Sequence, residues 1–140
     1  MKKNGFSLIE LMIAVGIVGI LAAIAIPSYA AYIKRANRTD ATRSMSFIAQ
    51  ALERCYSQNF TYVGCPILVV NPATSSQGYY SIAIGVVAGP PQTYTLTAVP
   101  VLPPQTGDTS CGTFTLDNTG KQGATDMSAS PNTQICWGST

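Results

Sequence analysis

The chain has 140 residues, of which 10% are charged and 46% are hydrophobic, and its formal net charge is +2. This length allows one domain and at most one segment outside it. Histidine is absent, which excludes Ser/His/Asp and Cys/His nucleophiles, and neither an HExxH motif, a P-loop nor a dinucleotide-binding GxGxxG occurs. We therefore expect a protein that is not an enzyme and needs no cofactor.

The N-terminal region predicts a helix long enough to cross a membrane. A short basic segment, Met1–Gly5, precedes a stretch in which every residue from Leu11 to Ile26 is apolar or glycine. The roughly 21 residues from Phe6 to Ile26 measure about 31 Å as an α-helix, enough to cross the hydrocarbon core of a bilayer. We expect residues 6–33 to form a transmembrane half of a longer helix.

Three residues are expected to loosen this helix. Gly16 and Gly19 lack side chains, so neighbouring helices can approach closely there. Pro27 lacks an N–H and removes one hydrogen bond from the helix. The sequence therefore predicts that the stretch from Gly16 to Pro27 is the weakest part of the helix.

Glu10 is the one charged side chain between Phe6 and Ile33. An ionised carboxylate among apolar residues is expensive, so we expect it to have a partner. The small residue Gly5 precedes the apolar run, whereas an ordinary secretory signal is cleaved after its apolar run. Cleavage between Gly5 and Phe6 creates a new α-amino group, four residues before Glu10.

The segment KNGFSLIEL, with the long apolar run behind it, resembles the class III leader and N-terminus of type IV pilins and type II secretion pseudopilins. The resemblance implies cleavage after Gly5 by a prepilin peptidase and N-methylation of Phe6. It also implies that Glu10 of one subunit pairs with the Phe6 amino group of a neighbour in a filament, and that the stretch from Gly16 to Pro27 unwinds there. Two other interpretations stay open: Glu10 neutralises its own N-terminus, or it is protonated in the lipid.

After Pro27 the pattern becomes amphipathic, and we expect one helix from about Phe6 to Tyr56. Apolar or small residues recur at helical spacing at Ala41, Met45, Ile48, Ala49, Leu52 and Cys55. Such a stripe needs a sheet to cover it. The basic residues cluster between Lys34 and Arg54, which indicates a solvated helix face and is compatible with a juxtamembrane cluster that sets orientation.

The remainder predicts a small antiparallel sheet. Residues 57–77 contain Gly, Pro and Ser and predict a loop. Strand-like segments follow at Gly78–Val87, Tyr94–Val101, Gly112–Asp117 and near Lys121–Ala124. We expect an α+β fold in which three or four antiparallel strands pack on the C-terminal half of the long helix, as the type IV pilin resemblance implies. The expected organisation is a cleaved leader (1–5), the transmembrane half (6–33) and a globular head (34–140).

Four cysteines in two separated pairs suit an exported chain. Three pairings are possible, and we favour the neighbours in sequence, Cys55–Cys65 and Cys111–Cys136. A metal site is disfavoured because no CxxC spacing and no histidine occur.

Three aspartates, Asp108, Asp117 and Asp126, lie in or beside predicted loops. They could bind Ca²⁺ if their loops converged, as in some pseudopilins, although no EF-hand spacing occurs. We favour the simpler interpretation that they are surface carboxylates in turns.

A second resemblance covers most of residues 78–137. The order YYSIAI, YTLTAVP, CGTFTLDNTGKQGA and a terminal CW resembles the PilE/ComP-like group of minor pilins. Some members of that group bind DNA during natural transformation, and DNA binding depends on a basic surface. Lys121 is the only basic residue after Arg54, so a DNA contact here would need Arg43 and Arg54 beside it.

We expect a pilin precursor that sits in the bacterial inner membrane as a single-span protein and is then assembled into an extracellular pilus filament for motility, adhesion or DNA uptake. The implied partners are other pilin subunits, the prepilin peptidase, the inner-membrane pilus assembly machinery and the membrane itself. Three rivals remain: a type II secretion pseudopilin, a DNA-uptake receptor, and a single-span anchor that does not assemble.

Overall fold

A computed structural model of the chain describes residues 7–138, so the expected leader and the cleavage and methylation site at Phe6 lie outside the described residues. Helix α1 covers Leu8–Asn59 and continues without a break through Pro27. The Ser7 Oγ accepts a hydrogen bond of 3.3 Å from the Glu10 N–H at its start. The chain divides between Ile33 and Lys34 into two compact units. We call residues 7–33 the stem and residues 34–138 the head.

The stem is a helix with exposed apolar side chains on every side. All of its Leu, Ile, Val and Met side chains from Leu8 to Ile26 are more than half exposed. Helix α1 contains a window of 18 residues that is long and apolar enough to span a membrane, and none of that window is buried. Exposure of such a large apolar surface to water is unfavourable, and a membrane or other helices would bury it.

The head contains five antiparallel strands, whose order in the sheet is their order in the chain. They are β1 (Ala73–Thr74), β2 (Tyr80–Val87), β3 (Thr93–Pro100), β4 (Thr113–Asp117) and β5 (Gln122–Thr125). Two 3₁₀ turns, Pro66–Val70 and Gln105–Gly107, and a short helix α2, Thr133–Trp137, complete the head. The long helix and antiparallel sheet confirm the predicted fold.

The core lies between helix α1 and one face of the sheet. The helix contributes Ala41, Met45, Ile48 and Leu52, all buried, as the predicted stripe requires. The inward positions of β3 are Tyr94, Leu96 and Ala98, and those of β4 are Phe114 and Leu116. The Phe114 ring packs edge-on against the rings of Tyr80 and Trp137, with centroids 5.6 and 6.0 Å away.

The predicted strand count of three or four was slightly low. The missed strand is β1, which lies in the 57–77 segment that we expected to be a loop, and its two residues pair with Ser81 and Ile82 of β2. Two residues are too few to show the alternation from which strands are predicted. Helix α1 also extends three residues beyond the expected end at Tyr56.

Both disulfides join the neighbours in sequence. Cys55 is bonded to Cys65, and Cys111 is bonded to Cys136. The first joins the end of helix α1 to the segment before β1, and the second joins the start of β4 to helix α2. Cross-links at both ends suit a head with a small core.

Candidate functional site

Glu10 stands in the first turn of helix α1, among exposed apolar side chains. Gly16 and Gly19 follow on the same helix, and a Cβ added at either would meet no atom within 4 Å. The small residues therefore leave open space in which another helix can approach the backbone. The stem thus presents an isolated carboxylate, a wide apolar surface and a region of close approach.

A groove runs along the exposed face of helix α1 in the head. Two adjoining depressions of about 880 and 380 Å³ share Phe47, Ile67 and Val70 in their lining. Arg43 lines the first depression and Arg54 the second. The two arginines lie 11 residues apart, about 16 Å along the helix and nearly on one face. The groove therefore combines an apolar floor with a positive charge at each end.

The structure does not bring all three predicted DNA-contact residues together. Lys121 lies beside the β4–β5 turn, in a separate depression of about 190 Å³ that it shares with Thr95, Thr115 and Asp117. Neither Arg43 nor Arg54 has an ion-pair partner among residues 7–138. Two unpaired cations on the helix thus remain as the candidate for a polyanion contact.

A buried polar cluster lies where the head begins. The Arg38 Nε and Nη2 donate to the two carboxylate oxygens of Asp108 at 2.7 and 2.9 Å, and both residues are buried. Asp40 is also buried, and its carboxylate accepts hydrogen bonds from the Ser75 hydroxyl and, at 3.0 Å, from the Gln77 N–H. The bidentate Arg38–Asp108 pair belongs to the stronger class of polar contacts in proteins.

The same cluster holds the first turn of the head helix. The Lys34 Nζ donates to the Gly107 carbonyl at 2.6 Å. Gln105 is completely buried, and its Nε2 donates to the Lys34 carbonyl at 3.2 Å and to the Tyr80 hydroxyl at 2.7 Å. We call Lys34, Arg38, Asp40 and the loop atoms that they bind the polar clamp.

This cluster was not predicted from the sequence, although a signal was present. We expected Asp108 to be a surface carboxylate and the basic helix residues to be solvated, whereas Asp108 and Arg38 are buried together. Arg38 precedes Ala41 by three residues, Met45 by seven and Ile48 by ten, which is the spacing of the buried stripe. Continuing that stripe by one turn would have placed Arg38 inside.

The other two aspartates act in turns, as expected. Asp117 Oδ1 accepts hydrogen bonds from the N–H groups of Thr119 and Lys121 and from the Thr119 hydroxyl. The Thr119 hydroxyl, followed by the two N–H groups, lowers the pKa of the Asp117 carboxyl. Asp126 Oδ1 similarly accepts from the N–H groups of Ser128 and Ser130. Within residues 7–138, no group of three acidic, Cys or His side chains converges to hold a metal ion.

The sequences of known families match the two parts of the chain. Residues 1–26 match the family described as "Prokaryotic N-terminal methylation motif". Residues 27–115, more than half of the chain, match the family described as "Type IV minor pilin ComP, DNA uptake sequence receptor". The chain belongs to this family of type IV minor pilins.

The individual relatives of this pilin are named as fimbrial, pilin or prepilin-peptidase-dependent proteins. It is 35% identical over 80 residues to the "Probable minor fimbrial protein" of Dichelobacter nodosus, covering 57% of this chain and 50% of the relative. It is 35% identical over 92 residues to the "Type IV major pilin protein PilE1" of Neisseria gonorrhoeae, covering 62% and 41%. It is 44% identical over 54 residues to "Prepilin peptidase-dependent protein D" of Escherichia coli, covering 39% and 37%. The pilin thus spans half or less of the length of these relatives.

A solved structure shows the same fold. The non-core minor pilin PilV of Neisseria meningitidis superposes with a TM-score of 0.54 and 22% identity, covering 69% of this pilin and 90% of that chain. A likeness at this identity concerns the path of the backbone, so it supports the pilin fold and says nothing about ligands.

Proposed function

We propose that this pilin is a structural subunit of a type IV pilus. It waits in the bacterial inner membrane as a single-span protein, is cleaved between Gly5 and Phe6 by a prepilin peptidase, and is methylated at Phe6. The assembly machinery then packs it with other pilin subunits into an extracellular filament. The observation that carries this proposal is the stem, whose apolar side chains are exposed all round while Glu10 is its single charge.

The stem fits assembly better than permanent anchorage. Burial of apolar surface is non-directional, so helix packing alone does not fix the axial position of one subunit against the next. A carboxylate at Glu10 that pairs with the Phe6 amino group of a neighbour fixes that position, because an offset by one turn leaves two charges unpaired. In a simple membrane anchor, a carboxylate among apolar residues would cost free energy without a compensating role.

Glu10→Ala tests the proposal. We expect the variant to enter the membrane and to be cleaved normally, while its amount in sheared filaments falls at least tenfold, because the neighbour's amino group is left without a partner. Mass spectrometry of the membrane and filament fractions measures the amounts and identifies the N-terminal residue and its methyl group.

The neighbouring substitution Leu11→Ala is the matched control, since it shortens an apolar side chain and keeps the charge. It should leave filament incorporation within about twofold of the wild-type level. Absence of the wild-type chain from sheared filaments would instead support the non-assembling anchor, and equal incorporation of the Glu10→Ala and wild-type chains would show that Glu10 does not fix the axial position. Calorimetric titration with Ca²⁺ addresses the pseudopilin rival, which predicts specific binding to the head.

A second candidate function is DNA contact during uptake. The family match favours it, and so does the pair of unpaired arginines on helix α1, because each cation that meets a phosphate releases a counterion. We assign this contact to Arg43 and Arg54, at the two ends of the groove, and leave Lys121 outside it.

Gel-shift measurements on the full chain in detergent, at low and moderate salt, test the DNA contact. The double variant Arg43→Gln/Arg54→Gln should lose at least tenfold in affinity for double-stranded DNA. The slope of log K against log [salt] should become shallower by about two, because about two fewer counterions are released on binding. Lys121→Gln removes a positive charge outside the groove; it is the control and should bind as the wild type does. The DNA role fails if the wild-type chain shifts no DNA at either salt concentration, or if the double variant binds equally well.

A further inference from the structure

Helix α1 is one continuous element with two very different halves. In the stem it contains Gly16, Gly19 and Pro27, and the large apolar side chains from Leu8 to Ile26 are exposed. Glycine and proline are the residues that weaken a helix most. Helix opening is cooperative, so a turn that opens in the stem makes it easier to open the turn that follows.

The core stripe begins too late to stop such opening at the head boundary. The first buried apolar residue of the helix is Ala41, seven residues after Lys34. The two helical turns between them are held by the polar clamp instead. Lys34 and Arg38 bind the loop between β3 and β4, whereas Asp40 binds the segment between β1 and β2. The clamp therefore holds these turns against two separate connections between strands of the sheet.

We propose that the polar clamp is an unwinding stop: it ends any loosening of the stem helix at Lys34 and keeps residues 34–40 helical and fixed to the head. Each clamp contact depends on the helical positions of these residues. Lys34 and Arg38 lie one turn apart and both bind the loop between β3 and β4, whereas Asp40 lies about 200° around the helix from Arg38 and binds the segment between β1 and β2. Opening these turns would break the bidentate pair and leave the Asp108 carboxylate buried without its cation. This role does not depend on whether the pilin assembles or binds DNA.

Hydrogen–deuterium exchange of the full chain in detergent micelles tests the proposal. The amides of residues 38–40 report on the clamp, because their hydrogen-bond acceptors are the carbonyls of residues 34–36. In the wild type they should exchange as slowly as the amides of residues 45–52 in the core. Arg38→Gln removes the charge that pairs with Asp108 and should speed exchange at residues 38–40 at least tenfold. Amides of residues 45–52 and of strand β3 should change less than twofold, because the apolar core is untouched.

Arg35→Gln is the matched control, since Arg35 is exposed, lies on the same turn and has no ion-pair partner among residues 7–138. It should leave the exchange of residues 38–40 unchanged. If Arg38→Gln abolishes protection of the whole sheet, Lys34→Ala replaces it, because that substitution removes one clamp bond without stranding a buried charge. The proposal is overturned if exchange at residues 38–40 is unaffected, or if it rises equally throughout the head.

Discussion

At the scale of single residues, polar side chains in the head are tied to particular partners. Tyr62 illustrates this: its hydroxyl donates to Glu53 Oε1 at 3.0 Å, and its ring stacks on Tyr56 with centroids 4.5 Å apart. Burial, followed by the hydrogen bond to Glu53 and the charge of Glu53, raises the pKa of Tyr62 to about 12. Burial also raises the pKa of Tyr94, whose ring lies 5.1 Å from that of Tyr62.

These shifts predict loss of stability at alkaline pH. A raised folded pKa favours the neutral phenol, so the stability it contributes is complete below the unfolded value of 10.0 and is lost as the pH rises through about 12. Ultraviolet titration of tyrosinate should show late-ionising tyrosines, and Tyr62→Phe should remove the one that ionises at about pH 12 while that of Tyr94 remains. Glu53→Gln should move that tyrosine towards pH 10, because it removes the nearby negative charge. An unchanged late titration in Glu53→Gln would contradict the assignment.

The role of a single residue could be predicted from the sequence where its partners lie close to it in the chain. The turn role of Asp117 follows from its position just before Asn118-Thr119-Gly120, because its partners lie within four residues. The Arg38–Asp108 pair spans 70 residues of sequence, and nothing in either neighbourhood indicates the other. Charged residues are predicted to be exposed by default, and burial of a pair is decided by tertiary structure.

At the scale of secondary-structure elements, alternation and helical spacing predicted the core well. The inward residues of β3 and β4 follow the period of two, and the buried stripe of helix α1 follows the period of 3.6. The short strand β1 and the one-turn helix α2 were not predicted. Each has too few residues to show the repeating pattern by which a strand or a helix is recognised in a sequence.

One close approach between elements gives a second prediction. Gly112, just before β4, is buried, and a Cβ placed there would lie 3.0 Å from the Asp126 carbonyl oxygen and 3.2 Å from the Met127 Cα. Both are backbone atoms, so the segment after β5 would have to move. Gly112→Ala should therefore lower the free energy of unfolding by about 1–3 kcal/mol.

Thermal unfolding of the full chain in detergent measures this effect. Gly89→Ala is the matched control, because a Cβ at Gly89 meets nothing within 4 Å. It should change the free energy of unfolding by less than about 0.5 kcal/mol. If the two variants unfold at the same temperature, the approach of the segment after β5 to Gly112 is not a constraint on the head.

At the scale of the whole molecule, the two disulfides differ in the length of chain they close. Cys55–Cys65 closes a separation of 10 residues and Cys111–Cys136 one of 25. The pairing of sequence neighbours could be favoured beforehand because the cysteines fall in two well-separated pairs. The elements that the two bonds join could not be predicted, because helix α2 was not expected.

The loop lengths predict an order of stability. On the loop-entropy estimate, replacing both cysteines by alanine should cost about 3.5 kcal/mol for Cys111–Cys136 and about 2.7 kcal/mol for Cys55–Cys65. Thermal unfolding of the two double variants under identical conditions checks the order. A larger loss for the Cys55–Cys65 variant would show that the native contacts of these bonds outweigh the entropy of their loops.

The order of the strands also bears on how the head is made. Each strand lies beside its immediate neighbour in the chain, from β1 through β5. A strand that emerges during export therefore finds its partner already present, and the sheet can grow one hairpin at a time without waiting for distant sequence. The Cys111–Cys136 bond forms later than the hairpins, because Cys136 follows all five strands in the chain and must reach back to Cys111. We expect a head released too early from the export machinery to lack this final bond while its hairpins are already formed.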